Sequence, residues 1–442
     1  MKETKTDKWI VNPFQKHINK RTTSGIVLFS SAFIALIFSN SPWSTQFHHL
    51  WEIEFSIGFD GHAITKSLHH WINDGLMAVF FFVIGLELKR EIIGGELKNP
   101  KNALLPITAA IGGMIFPAII YLAFNTKGNT SDGWGIPMAT DIAFALGVLY
   151  LLGNKVPLSL KIFLTVLAIV DDIGAVLVIA FFYTSNISFI SLATGGVFMF
   201  VLIISNILGV RNTVYYAIIG IGGLWLAFLM SGVHATIAAV LAAMTIPADV
   251  KISEKNYVEK INNLINKFKK EKPNNSTTVT NHQLLIIEDI RTYSKEALTP
   301  LQYLEYVMHP FVIFLIMPIF AFSNAGVSLS GNLLEQISGN VFLGVFFGLV
   351  IGKLMGVFGV VFILLKLKWV KLPDGMNKLH LLGVGFLASI GFTMSLFIGG
   401  LAFVDKTYIA EAKMGVLFAS IIASIAGYYI IKRANNKEVE IV

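Results

Sequence analysis

The chain has 442 residues, 55% of them hydrophobic and only 14% charged, with a mean hydropathy of +0.69. A soluble domain carries about 25% charged residues, so this apolar excess excludes an ordinary water-soluble fold and requires lipid to cover it. Cysteine is absent, which excludes disulfides, thiolate metal sites and cysteine nucleophiles.

The N-terminal segment, residues 1–24, is polar and runs into an apolar stretch with no small-residue cleavage site. It therefore reads as a cytoplasmic leader-less start and not as a removable signal peptide. A spanning helix takes about 20 apolar residues, and the apolar runs predict twelve of them. The first eight, within 25–246, are Gly25–Ser39, Trp71–Leu88, Ala103–Phe124, Trp134–Leu152, Leu158–Tyr183, Ile187–Leu208, Val214–Leu229 and Val233–Ile246. The last four, within 310–431, are Pro310–Ala325, Val341–Leu365, His380–Gly400 and Ala412–Ile431, followed by a cytoplasmic tail, 432–442.

The positive-inside rule orients this scheme. With the N-terminus cytoplasmic, all but five of the 34 Lys and Arg lie in cytoplasmic segments; Lys66, Lys127, Lys406 and Lys413 lie outside and Lys353 falls mid-span. The net charge of +7 therefore belongs to membrane topology, and no nucleic-acid partner is expected.

Two connections have content of their own. In the first outer loop, Trp51 to Ile57 alternates apolar and polar residues, Asp60-Gly61 is a turn signal, and Ala63-Ile64-Thr65 reads as a return strand. This hairpin, near residues 51–65, should pair or pack with something, since a lone two-stranded hairpin is marginal in water. The long charged cytoplasmic segment 247–309 contains Val258, Ile261, Leu264, Ile265 and Phe268 at helical spacing against a Lys-rich face. Such a helix can lie on an anionic leaflet. Lys272-Pro273-Asn274-Asn275-Ser276 follows as a break, and no soluble domain with its own core is expected.

A charge at the bilayer centre costs roughly 2.5–3.5 kcal/mol, and Asp141, Asp171, Asp172 and Lys353 all fall within predicted spans. Either they form structural ion pairs or they line an ion path. Asp171 and Asp172 point about 100° apart on a helix, so they cannot do identical work, and as neighbours they titrate as a coupled pair. Backbone breaks lie close by: Gly133-Trp134-Gly135-Ile136-Pro137 opens the fourth span, and Gly383, Gly385, Gly391, Gly399 and Gly400 punctuate the eleventh. Interrupted spans in corresponding places of two halves point to a binding site, although glycines also serve close packing. Spans three to five and ten to twelve run in opposite directions, as an inverted repeat requires. Glu87 and Glu91 share one helical face, either as an interfacial charge cluster or as a functional pair. His234 stands at an outer helix end.

At these residues the chain resembles the NhaA family of bacterial sodium/proton antiporters, a system that also serves as a standard example of inverted repeats. The matching stretches are W-I-N-D-G-L-M-A-V-F-F-F-V-I-G-L-E-L-K-R-E from Trp71, I-P-M-A-T-D-I-A-F-A-L-G from Ile136, L-A-I-V-D-D-I-G-A from Leu167, S-G-V-H-A-T from Ser231, F-A-F-S-N-A-G-V-S-L from Phe320, I-G-K from Ile351 and I-G-F-T-M-S from Ile390. The resemblance implies an all-α polytopic membrane protein of about twelve helices, with inverted repeats, discontinuous helices four and eleven, and a small β-hairpin in the first outer loop. It implies a transporter and not an enzyme, exchanging sodium or lithium for protons electrogenically and under pH control, without a cofactor, in the bacterial inner membrane with both termini cytoplasmic. Asp172 would be the principal sodium ligand, Asp171 its titrating neighbour, and Thr140 near the ion. Asp141 would face helix N-termini, and Lys353 the helix C-termini or Asp171. Glu87, Glu91 and Glu305 would form a pH-responsive cytoplasmic entrance, with Asp74 and His234 nearer the outside. The outer hairpin would join a homodimer. The segment 247–309 is longer than the family's usual connection. Two alternatives share some of these features: a sodium-coupled solute symporter, and an intramembrane aspartyl protease built on Asp141 and Asp172, against which stands the missing G-x-G-D pattern.

Overall fold

The computed structural model describes residues 21–59, 62–184, 187–271, 278–327 and 333–439. The predicted turn at Asp60-Gly61, the break at Lys272 to Ser276 and most of the N-terminal segment lie outside the described residues.

Each of the twelve expected spans is met by helix. The chain opens with α1 (Arg21–Ser39) and bends by 114° into α2 (Ser44–Glu52), which lies across its end. After the strands β1 (Glu54–Phe59) and β2 (His62–Ser67), a π-helical turn at Trp71–Leu76 leads into α3 (Met77–Gly94). Next come α4 (Pro100–Phe124) and the fourth span, which is a 3₁₀ stretch, Gly128–Met138, and then α5 (Ile142–Leu151). The first half closes with α6 (Leu158–Phe182), α7 (Phe189–Ile207), α8 (Thr213–Ser231) and the short α9 (Ala235–Thr245). Two charged helices follow, α10 (Glu254–Lys270) and α11 (Asn281–Ala297). The last spans are α12 (Pro300–Asn324), α13 (Asn340–Lys366), the pair α14 (Lys378–Ala388) and α15 (Phe392–Ala402), and α16 (Lys406–Val439).

Seven helices among the described residues are long and apolar enough to cross a membrane alone, and the bent pairs raise this to as many as ten. The other two spans miss that standard for physical reasons. The C-terminal end of α3 carries Glu87, Lys89, Arg90 and Glu91, and α9 has only 11 residues. The order long helix, broken helix, long helix occurs twice, at α4 to α6 and at α13 to α16. Such a recurrence of one span order in the two halves is in keeping with an internal repeat.

The hairpin forms in the register Glu54↔Ser67 and Ile57↔Ile64, but Trp51 and Glu52 end α2 and do not join the strand. Trp71 Nε1 donates to the Phe55 carbonyl at 2.9 Å, fastening the hairpin to the start of the second span. The ninth span begins at Pro300, well before the apolar run at Pro310. Thr299 caps it by accepting from Gln302 N at 3.0 Å, and proline suits the first helical turn because its missing N–H has no partner there anyway. The helix passes through Pro310 by way of a π-helical stretch at Val312–Ile316.

The predicted amphipathic helix is α10, and it packs on α11. Leu264 and Ile286 are buried, while Val258 and Ile265 stay exposed. Part of the apolar face that the sequence alone offers to lipid therefore meets a second helix. An ion pair between Lys251 and Glu296 closes the base of this hairpin.

The core depends on close backbone approach. A Cβ on Gly112 of α4 would stand 2.4 Å from the Gly356 carbonyl of α13, and one on Gly352 would stand 2.6 Å from Pro117 Cα. On the other side of α4, a Cβ on Gly174 of α6 would meet Met114 Sδ at 2.0 Å. Small residues allow such contacts in membranes, where packing must supply the association energy. Gly112→Val should therefore lower stability by about 1–3 kcal/mol, read as a reduced Tm of the protein in detergent. Gly196→Val, where a Cβ meets nothing within 4 Å, should leave the Tm unchanged.

Candidate functional site

The two broken spans cross at their extended segments. Asp141 N donates to the Ile390 carbonyl at 2.6 Å, so the main chains join where each has left its helix. Irregular backbone of this kind is tolerated at membrane depth only when protein or a cavity surrounds it, and Ala139, Thr140, Asp141, Ser389 and Ile390 are all completely buried.

Asp141 caps two helices at once. Its Oδ1 accepts from Phe144 N at 3.0 Å in the first turn of α5, and its Oδ2 accepts from Thr393 N at 3.1 Å and from the Thr393 hydroxyl in the first turn of α15. Two helix N-termini, each the positive end of a dipole, thus converge on one carboxylate. On the opposite side of the crossing, the Thr140 hydroxyl lies 2.8 Å from the Ala388 carbonyl at the end of α14 and 2.7 Å from Asp171 Oδ2.

Asp171 and Asp172 project from the middle of α6 and are each 1% exposed. Lys353 Nζ of α13 donates to Asp171 Oδ2 in a fully buried ion pair. The lysine rises between two π-helical stretches, Gly348–Gly352 and Met355–Gly359, and its stem runs beside Gly113 of α4, where a Cβ would sit 3.4 Å from Nζ. The remaining oxygens are bare: Asp171 Oδ1 and both oxygens of Asp172 have no hydrogen-bond partner among the described residues. Buried polar atoms are normally satisfied, so three unpartnered carboxylate oxygens on two adjacent residues are exceptional.

A second group lies at the C-terminal end of α3. Arg90 donates through Nε to both oxygens of Glu305 at 3.0 Å and through Nη1 to Glu91 at 2.8 Å. Glu91 also accepts from Glu96 N at 3.0 Å, and His309 Nε2 stands 3.8 Å from Glu87. Glu91 and Glu305 are therefore joined through Arg90, and one helical turn away on the same two helices Glu87 stands by His309. Asp74 and His234 belong elsewhere. Asp74 pairs with His70 at 2.8 Å, and His234, at the cap position of α9, donates to the Tyr183 carbonyl at 3.0 Å.

Sequence reasoning gave no role to Thr393, although it lies in the I-G-F-T-M-S stretch; a hydroxyl two residues after the Gly391 break was the available signal. It also passed over the closed ring of His69, Asn73 and Asn324. There His69 Nε2 is 3.1 Å from Asn324 Oδ1, Asn324 Nδ2 donates to Asn73 Oδ1 at 3.0 Å, and Asn73 Nδ2 is 3.5 Å from His69 Nδ1. His69 and Asn73 stand one helical turn apart, but no local pattern announces the ring, because Asn324, which closes it, comes from a distant span.

Fold and site together define a multi-pass helical membrane protein with a carboxylate pair held where two broken helices cross. The family model for Na+/H+ antiporter 1 matches residues 15–431, and the chain belongs to that family. It is 46% identical to the Na(+)/H(+) antiporter NhaA of Oleidesulfovibrio alaskensis, with 96% of this chain and 94% of that protein aligned. It is 44% identical to the Na(+)/H(+) antiporter NhaA 1 of Saccharophagus degradans, over 95% of this chain and 91% of the relative. A further relative, the Na(+)/H(+) antiporter NhaA 2 of Syntrophotalea carbinolica, is 44% identical over 97% of this chain and 98% of its own. Family membership makes the chain a transporter and not an enzyme, and the aspartyl protease alternative falls.

The double cap sets a test of stability. Asp141→Ala leaves three buried donors without an acceptor, at about 1–3 kcal/mol for each group, and should lower the Tm in detergent markedly. Asp141→Asn keeps one carbonyl oxygen and should lose less.

Proposed function

We propose that the protein exchanges sodium for protons across the membrane by letting the two compete for Asp172 and Asp171. The observation that carries this reading is that three of the four buried carboxylate oxygens of Asp171 and Asp172 have no hydrogen-bond partner among the described residues, while the fourth is bound to Lys353. Sodium, like other hard cations, takes oxygen ligands, and the pair has oxygens to give. With both aspartates and Lys353 ionised the cluster bears one net negative charge, which a monovalent cation cancels. A protonated Asp172 has no such charge to offer, so occupancy by proton and by cation excludes one another. Lithium, a smaller hard cation, fits the same chemistry. Thr140 borders the site through its contact with Asp171. Asp141 answers the two helix N-termini, so that the crossing holds no uncompensated positive dipole ends, and Lys353 positions Asp171 and exchanges charge with it.

Competition at one site becomes transport when that site opens alternately to each side. If two protonated groups give way to one sodium, each cycle moves net charge, and membrane potential drives sodium outward. Glu91 and Glu305, bridged by Arg90, together with Glu87 beside His309, are proposed as a pH-responsive cytoplasmic entrance, with Asp74 and His234 toward the outer side. This orientation follows the distribution of Lys and Arg, with both termini cytoplasmic in a bacterial inner membrane. The outer hairpin, with Phe55 and Ile57 about half exposed, suits a homodimer contact. The lysines of α10 suit an anionic leaflet.

In inverted vesicles holding a pH gradient, added sodium should dissipate the gradient rapidly, and Asp172→Asn should abolish the response. No response of the native protein anywhere from about pH 6 to pH 9 would overturn the proposal. Lys353→Ala should slow exchange more than Lys353→Arg, because the arginine keeps a cation opposite Asp171; equal losses would remove charge as the explanation.

A second measurement concerns the charge moved. Imposing a potassium diffusion potential on sodium-loaded vesicles should change the exchange rate, in the direction that favours net charge flow. A rate indifferent to potential would mean one proton per sodium.

A further inference from the structure

Between α1, α5 and α16 runs a groove of about 410 Å³ whose lining includes Gly25, Phe29, Phe144, Gly147 and Ile425. Its only polar side chain is Ser424, and that hydroxyl is already used, donating to the Ser420 carbonyl at 2.6 Å. At Leu151, near the end of α5, the groove meets a second recess of about 190 Å³ with a different character. Here the lining is Leu152, Lys155, Tyr428, Lys432, Asn435 and Asn436, together with the shared Leu151. Lys155 comes from the connection between the fourth and fifth spans, and Lys432 from the far end of the twelfth. Both are exposed, neither is ion-paired among the described residues, and no acidic side chain lines the recess.

We propose that the two recesses form one binding site for an anionic diacyl phospholipid. Lys155 and Lys432 hold the phosphate, and one acyl chain lies in the groove. The sequence of polarity along the site is that of such a lipid: two cations and two amides at one end, then an apolar channel running inward along the helices. Both lysines also lie on the side to which the Lys and Arg distribution assigns the cytoplasm, where anionic headgroups attract basic residues at about a factor of five per lysine. A neutral apolar molecule would leave the lysines unanswered, and a free anion would leave the groove unfilled.

The floor of the groove gives the site its interest. Phe144, which lines it, carries the N–H that donates to the capping carboxylate of Asp141. Gly147 packs against Gly25 so closely that a Cβ on Gly25 would stand 3.1 Å from Gly147 Cα. A chain seated there touches α1, the half-helix α5 and α16 together, and braces the broken span from its lipid side.

The test uses the full-length protein in detergent, titrated with phosphatidylglycerol, phosphatidylcholine and deacylated glycerophosphoglycerol, with binding read by native mass spectrometry and by Tm. Phosphatidylglycerol should remain bound at one per chain and raise the Tm. Phosphatidylcholine should bind about tenfold or more weakly, and the deacylated headgroup should produce no shift. The double variant Lys155→Gln, Lys432→Gln should bind phosphatidylglycerol about thirtyfold more weakly, whereas Lys98→Gln, Lys101→Gln, which line neither recess, should bind it as the native protein does. Ile425→Trp, which fills the groove and keeps both lysines, should also lose retention. Undiminished binding by the Lys155, Lys432 variant or by Ile425→Trp would overturn the proposal. So would equal affinity for phosphatidylcholine, or a deacylated headgroup that binds as tightly as the whole lipid.

Discussion

Asp141, Asp171, Asp172 and Lys353 are all essentially out of contact with the surroundings of the protein, and the way each is compensated organises the centre of the fold. A charge at mid-membrane carries a cost of roughly 2.5–3.5 kcal/mol even on lenient scales, which a counterpart offsets. Asp141 finds it in two helix N-termini and three donors. Asp171 finds it in Lys353, with the single Thr140 hydroxyl proton shared between it and the Ala388 carbonyl. Asp172 finds no hydrogen-bond partner in the described protein. The hydrogen-bonded compensation thus declines along the series, and Asp172, left without it, is the residue to which the proposed exchange assigns the proton and the cation.

The broken helices follow from the same requirement. A continuous helix satisfies its own backbone and offers no dipole ends in mid-membrane. Interrupting two spans and crossing them creates two N-terminal ends and two C-terminal ends in one small volume. The N-terminal ends then need a carboxylate, which Asp141 supplies. The C-terminal carbonyls need donors, and the Thr140 hydroxyl at 2.8 Å from Ala388 is one. Removing the breaks would remove the need for Asp141, and removing Asp141 would strand the breaks.

Much of this was legible in the sequence because lipid imposes so strict a solvent. The twelve spans, the two glycine- and proline-marked breaks and the rarity of Asp141, Asp171, Asp172 and Lys353 within apolar runs all register as local departures from a hydrophobic background. Residues that act through unremarkable chemistry did not register. Thr393 is a hydroxyl among many. The early start of α12 depends on a Thr-Pro cap ahead of the apolar run. The partner of the apolar face of α10 lies in a helix whose own pattern is weak, so that face reads as free for lipid until α11 is seen beside it. The Glu87, Glu91 and Glu305 grouping came from resemblance, and its organising residue, Arg90, only takes that part once Glu305 is brought back to α3.

The glycine contacts of α4 have a mechanical meaning for the ion pair. Asp171 stands on α6 and Lys353 on α13, and both helices bear directly on α4, one through Gly174 against Met114 and the other through Gly352 and Gly356 against Pro117 and Gly112. α4 supplies no charge to the pair, yet it is the shim between its two carriers, and on the α13 side its thickness is set by main chain and not by rotamers. A single methyl added to that seam would widen the gap across which a buried ammonium must reach its carboxylate, so a substitution with no polar atom can alter the electrostatics of the centre.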